Sequence, residues 1–174
     1  NYKQLFDTAF PKENPELRYR RFSMARAIAA FERTVLANQA PFQKWLRGDT
    51  SDLSHNQIDG AILFFFFFKC VNCHTGPALN SMTFYAYGMD DMHGDDIIIK
   101  DSSDNNHLGR AALTQREEDK FAFKVPQLYN LKDQQYLGHG GSFCSVYEVI
   151  RYKNEAIAQN ANVTKNYLAK EFVP

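Results

Sequence analysis

The residues with the clearest chemical potential form the segment Cys70-Val71-Asn72-Cys73-His74, which reads C-x-x-C-H. The pattern is typical of c-type haem attachment, because two thiols at this spacing can form thioethers with the haem vinyl groups and the next histidine can bind the iron. A zinc site would need a second Cys/His pair at suitable spacing, and a thioredoxin-like site would need a preceding strand; the sequence shows neither. The motif therefore predicts one covalent haem c on Cys70 and Cys73, with His74 as the proximal iron ligand.

The third cysteine, Cys144, is left over once the haem has taken two thiols. A reactive thiol needs a basic partner that lowers its pKa, and no basic residue flanks this one. We therefore expect Cys144 to be a buried thiol or a small packing residue.

The composition excludes several classes of function. The chain has 174 residues, which allows a single domain over residues 1–174 with a core of its own. Its 20 basic and 20 acidic residues balance, so it carries no electrostatic footprint for a nucleic-acid partner. No apolar segment is long enough to span a membrane. Covalent haem attachment fits an oxidising compartment outside the cytoplasm.

Helical patterns alternate with long loops. A short helix is predicted from Tyr2 to Phe10, and a second begins at Ser23 as N-cap and ends near Asn38 and Pro41. The apolar residues of the second helix are Met24, Ile28, Phe31 and Val35. Ser54-His55-Asn56-Gln57 resembles a capping box, and the helix that it opens leads to the haem motif along Ile58, Ile62 and Phe65.

The second half of the chain contains one long loop and one clear helix. Five consecutive phenylalanines, Phe64 to Phe68, cannot all face one core. From Thr75 to Lys120 the pattern is that of a loop, and its aspartates predict a solvated acidic segment rather than a calcium loop: Asp90, Asp91, Asp95, Asp96, Asp101 and Asp104. A last helix begins near Ser145, with Val146, Val149, Ile150 and Lys153 on one face.

Further segments carry a resemblance that is more specific than the haem motif. They are Leu5–Pro11, Ala27–Thr34, Ala40–Phe42, Leu46–Asp49, Gly76-Pro77, Gly109-Arg110, Phe123–Asn130 and Gly138–Gly141. In this order and spacing the chain resembles the second-haem, C-terminal half of the bacterial di-haem cytochrome c peroxidases and their MauG-type relatives. The resemblance implies an all-α, cytochrome c-like haem domain with long loops and little or no strand.

The resemblance also implies partners. Family members place a first haem domain upstream, with its own C-x-x-C-H and the peroxide-binding haem; that N-terminal haem domain is absent from this chain. The second haem would accept electrons from a small periplasmic donor, a cytochrome c or a cupredoxin, and pass them to the peroxide-reducing haem. The implied location is the periplasm, and a homodimer is a further expectation.

Three side chains are assigned to the haem surroundings by the resemblance. Arg110 and Lys124 match basic family positions, where a cation would offset the haem propionates; solvated surface charges are the alternative. His139 matches a family histidine near the haem and the domain interface, with a hydrogen-bonding or a ligand role. Calcium is a further family feature, and this half would supply mainly backbone carbonyls in the region 132–136.

The distal iron ligand departs from the family pattern. Counted from His139, the position of the family methionine falls on Lys153, with Tyr152 one residue before it, and the MauG type has a tyrosine there. Lys153 could bind as a neutral amine, because iron favours loss of the proton. Tyr152, His139, water or no ligand are the alternatives. Met82, Met89 and Met92 follow the haem motif too closely and are expected to be packing or loop residues.

Three functions are therefore compatible with the sequence. The first is the electron-relay half of a di-haem peroxidase that reduces hydrogen peroxide. The second is a mono-haem electron-transfer subunit of a larger redox complex. The third is a MauG-like oxidation of a protein substrate, which a tyrosine ligand would favour. No catalytic residue is assigned within this chain.

Overall fold

The chain divides into two compact units in a computed structural model, which describes residues 1–35, 39–76, 78–91 and 105–174. The units are Asn1–His55 and Asn56–Pro174. Several features named in the sequence analysis lie outside the described residues. They are the packing residue Met92, the end of the second helix near Asn38, Pro77, and four of the six loop aspartates (Asp95, Asp96, Asp101 and Asp104). No described helix combines the length and the apolar character needed to cross a membrane.

The described residues of the first unit form the helices α1 (Tyr2–Ala9), α2 (Arg21–Glu32) and α3 (Pro41–Leu46). The prediction of α1 is confirmed: Asn1 caps it by accepting a hydrogen bond from the backbone N–H of Lys3. Between α1 and α2, the carboxylate of Asp7 binds the guanidinium of Arg18 at 2.6 Å and also accepts from the hydroxyl of Tyr19. These contacts hold the loop between the two helices against α1.

The predicted N-cap of α2 was wrong. The N-cap is Arg20, whereas Ser23 is buried inside the helix, where its hydroxyl donates to the carbonyl of Leu17. A serine hydroxyl can satisfy itself on a nearby carbonyl as well as on a helix end, so its sequence signal is ambiguous. The predicted apolar stripe is largely exposed: Met24 45%, Ile28 59%, Phe31 67% and Val35 63%.

The described part of the second unit contains α-helices, short 3₁₀ and π-helical turns and one small sheet. After α4 (His55–Ile62), which starts in the first unit's last residue, the chain forms a π-helix over Leu63–Phe67 and a 3₁₀ turn over Cys70–Asn72. Strands β1 (Phe84–Tyr85) and β2 (Phe123–Lys124) pair antiparallel, with Phe84 opposite Lys124 and Tyr85 opposite Phe123. The short helix α5 spans Ala111–Thr114, and further 3₁₀ turns cover Asn105–Leu108, Glu117–Asp119 and Leu131–Asp133.

The final helix, α6 (Val146–Glu155), is confirmed where the sequence predicts it. Ser145 and Glu148 form a complete capping box, in which each side chain accepts from the other residue's backbone N–H. The core of the second unit forms on one side of this helix from Phe143, Tyr152 and Phe172, with Tyr87 and Leu168 among the residues packed against them.

Candidate haem site

The C-x-x-C-H motif is folded into one tight turn. Lys69 adopts a left-handed conformation (φ 55°) that ends the preceding π-helix, and the 3₁₀ turn follows at once. The backbone N–H groups of Cys73 and His74 both donate to the carbonyl of Cys70, at 3.2 and 2.8 Å. Both thiols and the imidazole therefore project from a single half-buried turn.

The Cys70 thiol lacks the lowered pKa of a redox C-x-x-C cysteine. Both motif thiols are free and partly buried. Burial raises the pKa of the Cys70 thiol, with the neighbouring Cys73 acting in the same direction. A thiol whose pKa is raised is a poor nucleophile at neutral pH, unlike the low-pKa cysteine of a redox C-x-x-C.

The surroundings of His74 favour its neutral imidazole, which is the form that binds a metal. Its Nδ1 lies 2.9 Å from the carbonyl oxygen of Leu79, which selects the Nδ1–H tautomer and leaves the lone pair on Nε2. Burial lowers its pKa below the usual 6.5, and the charge of Lys153 lowers it further, while the carbonyls of Leu79 and Pro126 oppose the change. Iron binds the neutral imidazole, so the residues present fit a haem c.

Lys153 lies next to this turn rather than in solvent. Its Nζ is 2.7 Å from the centroid of the Tyr87 ring and 5.9 Å from that of Phe172. Burial lowers the pKa of the amine to about 7, against the opposing effect of the Cys73 and Cys70 thiols. At neutral pH a substantial fraction of this amine is unprotonated and carries a free electron pair.

Tyr152, the residue before Lys153, is buried in the aromatic core. Its side chain is 6% exposed, and its hydroxyl donates a 2.6 Å hydrogen bond to the carbonyl of Tyr87. The ring packs against Phe143 and Phe172, with centroid distances of 5.1 and 5.3 Å. Burial raises its pKa, which disfavours the phenolate that binds iron.

Tyr87 connects the motif to the core and was not singled out from the sequence. Its hydroxyl lies 3.8 Å from the Cys73 sulfur, and its ring meets Phe172 edge-on at 5.4 Å. Burial, followed by the Cys73 thiol, raises its pKa. The available signal was the Tyr85-x-Tyr87 spacing eleven residues after His74, which is typical of a strand with one buried face.

Arg110, Lys124 and His139 gather around the β1–β2 pair. The Arg110 guanidinium lies 4.5 Å above the Phe84 ring, and its Nε is 3.4 Å from a carboxylate oxygen of Asp119. Lys124 is exposed on β2 opposite Phe84. Their proposed interaction with haem propionates stays a prediction.

His139 belongs to a small polar cluster beside the same strands. Its ring stacks on Phe123 with 3.3 Å between centroids, and its Nε2 is 3.5 Å from Asp91, which also lies 2.7 Å from Nδ1 of His107. Burial lowers the pKa of His139, Asp91 raises it and His107 lowers it. Gly140 passes so close to Asp91 that a Cβ there would clash.

Cys144 is exposed, so the expectation of a buried thiol was wrong. The residue immediately precedes the N-cap of α6, and its backbone N–H donates a 2.7 Å hydrogen bond to the Glu148 carboxylate. The capping box therefore uses the backbone of Cys144 and leaves its side chain in solvent.

Comparisons with known proteins agree with the motif. A family model described as di-haem cytochrome c peroxidase matches residues 1–51. The cytochrome c551 peroxidase of Nitrosomonas europaea is 29% identical over 147 residues, which cover 83% of this chain and 40% of that protein. The methylamine utilization protein MauG of Methylophilus methylotrophus is 31% identical over 166 residues, covering 92% of this chain and 44% of that protein.

A solved structure shares the fold. The crystal structure of a MauG-like protein associated with microbial copper homeostasis superposes with a TM-score of 0.67 at 22% identity, covering 99% of this chain and 54% of that one. The chain spans less than half the length of the two curated relatives named above. By its haem-attachment motif and these relatives, the chain belongs to the di-haem cytochrome c peroxidase and MauG family.

Proposed function

We propose that residues 1–174 form the second-haem, C-terminal half of a di-haem peroxidase-like oxidoreductase, a single haem domain that relays electrons. The observation that carries the proposal is the Cys70–His74 turn, which presents two free thiols and a neutral imidazole from one half-buried segment. The two named relatives that align with most of this chain are more than twice the aligned length, which leaves room in them for another haem domain.

Different residues of the chain would bind different parts of the haem. Cys70 and Cys73 would bind it through thioethers, and His74 would bind the iron through Nε2 while Nδ1–H stays on the Leu79 carbonyl. A haem c bound in this way supplies a one-electron couple. Phe64, whose ring centroid is 6.4 Å from that of His74, would help to exclude water from the iron.

The basic residues near β1 and β2 would serve the charged edge of the haem. Arg110 is held on the ring of Phe84 and by Asp119, so it presents a fixed cation, whereas Lys124 is exposed and adaptable. His139, braced by Phe123 and Asp91, would hydrogen-bond in the same region. Cations here would offset propionate charge in a poorly solvated pocket.

The proposed partners follow from the family. They are a small periplasmic donor, a cytochrome c or a cupredoxin, and an N-terminal haem domain that reduces peroxide. A homodimer and a calcium ion held partly by backbone carbonyls in the region 132–136 complete the proposal. The proposed location is the periplasm.

A haem count on the native polypeptide tests the proposal. The 174 residues weigh 20.0 kDa. We expect a native mass well above this value, with two haems and peroxide turnover. One haem on a polypeptide of about this mass would instead support the mono-haem electron-transfer subunit.

Substitutions locate the attachment site within the same experiment. The double variant Cys70→Ala/Cys73→Ala is expected to lose the haem of this domain from the denatured chain, measured by intact mass. Cys144→Ala is the matched control and is expected to keep it, because that thiol is exposed at the start of α6. Retention of the haem by the double variant would overturn the proposal.

A further inference from the structure

We propose that Lys153 is the distal ligand of the haem iron, so that the iron is held between the imidazole of His74 and a primary amine. The inference rests on the proposed function, because it requires a haem on Cys70 and Cys73. It names the ligand that the sequence leaves open among Lys153, Tyr152, His139 and water.

The position of the amine is the first argument. Lys153 stands on α6, but its Nζ reaches the ring of Tyr87, whose hydroxyl is 3.8 Å from the Cys73 sulfur. The amine therefore lies within the haem-binding region and not along the solvent face of α6.

The second argument is the lack of a counter-ion. Within the described part of the chain, no carboxylate forms an ion pair with Lys153, and its Nζ lies over the Tyr87 ring and 5.9 Å from the centroid of the Phe172 ring. A half-buried ammonium without an ion-pair partner is unfavourable, whereas a half-buried amine bound to a metal is satisfied. Binding forms one Fe–N bond and releases one proton to solvent, and the oxidation state of the iron does not change.

The other side chains that could bind the iron have contacts of their own or lie in solvent. Tyr152 is fixed in the core by its hydrogen bond to the Tyr87 carbonyl. His139 is stacked on Phe123 and directed at Asp91. Met89 packs against the Phe143 core, and Met82 is 64% exposed.

Spectroscopy of the ferric holoprotein tests the inference without reference to activity. Electron paramagnetic resonance reports the spin state, and the near-infrared charge-transfer band separates amine, thioether and phenolate ligation. We expect wild type to be low-spin with nitrogen ligands on both sides. Lys153→Ala and Lys153→Arg should both lose the low-spin signal of this haem, since neither can supply an amine.

Two further variants keep the test decisive. Lys153→Met retains side-chain length and offers a thioether, so it should fold where alanine fails and should show sulfur-to-iron ligation in place of amine ligation. Tyr152→Phe is the matched control on the neighbouring residue and should keep the wild-type spectrum. Because Tyr152 lies in the core, its ring is needed for packing, which phenylalanine preserves. Its hydroxyl takes no part in binding the iron.

The outcomes separate this inference from the proposed function. A wild-type spectrum in Lys153→Ala and Lys153→Met, or a phenolate band that disappears in Tyr152→Phe, would overturn the lysine ligand while the haem domain stands. A native chain without haem on Cys70 and Cys73 would overturn both.

Discussion

Two neighbouring residues of α6 enter different surroundings. Tyr152 points into an aromatic core, where Phe143 and Phe172 enclose its ring and the Tyr87 carbonyl accepts its hydrogen bond. Lys153 places its Nζ over the ring of Tyr87, whose hydroxyl lies 3.8 Å from the Cys73 sulfur in the Cys70–His74 turn. One residue along a helix turns the side chain by about 100°, enough to change a structural role into a chemical one. The helix thus has a core side and a motif side.

The largest expected effect lies on the core side. Phe172 is 6% exposed and touches both Tyr87 and Tyr152, so Phe172→Ala should reduce the free energy of unfolding by about 3–5 kcal/mol through the cavity that it leaves. Denaturant unfolding of the holoprotein, followed by circular dichroism, measures the loss. Tyr147→Ala on the exposed side of α6, where the ring is 73% exposed, should stay within about 0.5 kcal/mol. Equal losses of unfolding free energy in the two variants would contradict the distinction between a buried and an exposed side of α6.

A paired substitution compares the two sides directly. Tyr152→Phe should reduce stability by about 1–3 kcal/mol, because the buried carbonyl of Tyr87 loses its donor, and should leave the haem potential unchanged. Lys153→Met should raise the potential, because a thioether ligand disfavours ferric iron relative to an amine. A spectroelectrochemical titration of both variants measures this. A change of potential in Tyr152→Phe as large as that in Lys153→Met would contradict the assignment.

The cap of α6 supports both sides together. Ser145→Ala removes the hydroxyl that accepts from Glu148, and we expect a stability loss of about 1 kcal/mol. Ser145→Thr keeps a capping hydroxyl and should retain most of that stability. Thermal unfolding of the two variants beside wild type decides between them. An unaltered melting temperature in Ser145→Ala would show that the cap is dispensable.

The smallest expected effect is a pH dependence at His139. Its pKa in the folded chain lies below the ordinary 6.5, chiefly because of burial. Between these two values the unfolded chain binds more protons, so stability should fall as pH is lowered from about 6.5 through the folded pKa, by at most about 1.4 kcal/mol for each pH unit between them. Unfolding of wild type and His139→Gln from about pH 8 to about pH 5 measures this contribution, and the variant should show a flatter profile. Parallel profiles would contradict it.

Local signals predicted the parts of the site that local structure determines. The Ser145 cap and the apolar spacing of α6 placed Lys153 correctly on a helix, and the C-x-x-C-H motif follows the helical segment that was predicted to lead to it. Contacts between distant segments were not predictable in this way. Three such contacts depend on how segments far apart in the sequence pack together. They are the contact of Tyr87 with Cys73, the burial of Tyr152 in the core, and the contact of His139 with Asp91.

Errors arose where one residue type serves two purposes. Ser23 resembled a helix cap but binds the Leu17 carbonyl inside α2, and Cys144 resembled a packing residue but lies exposed beside a cap. Both residues lie near the start of a helix, where side chains and backbone compete for the same hydrogen bonds.

The wide turn at Leu63–Phe67 has a consequence for how the chain tolerates changes in length. In this turn the N–H of Phe68 donates to the carbonyl of Leu63 at 2.8 Å, five residues back, where an α-helix would reach back four. An extra residue in a regular helix would rotate everything after it by about 100°. The wide turn already holds one such extra residue as a bulge, so removal of one phenylalanine would leave an α-helical turn ahead of Cys70, Cys73 and His74.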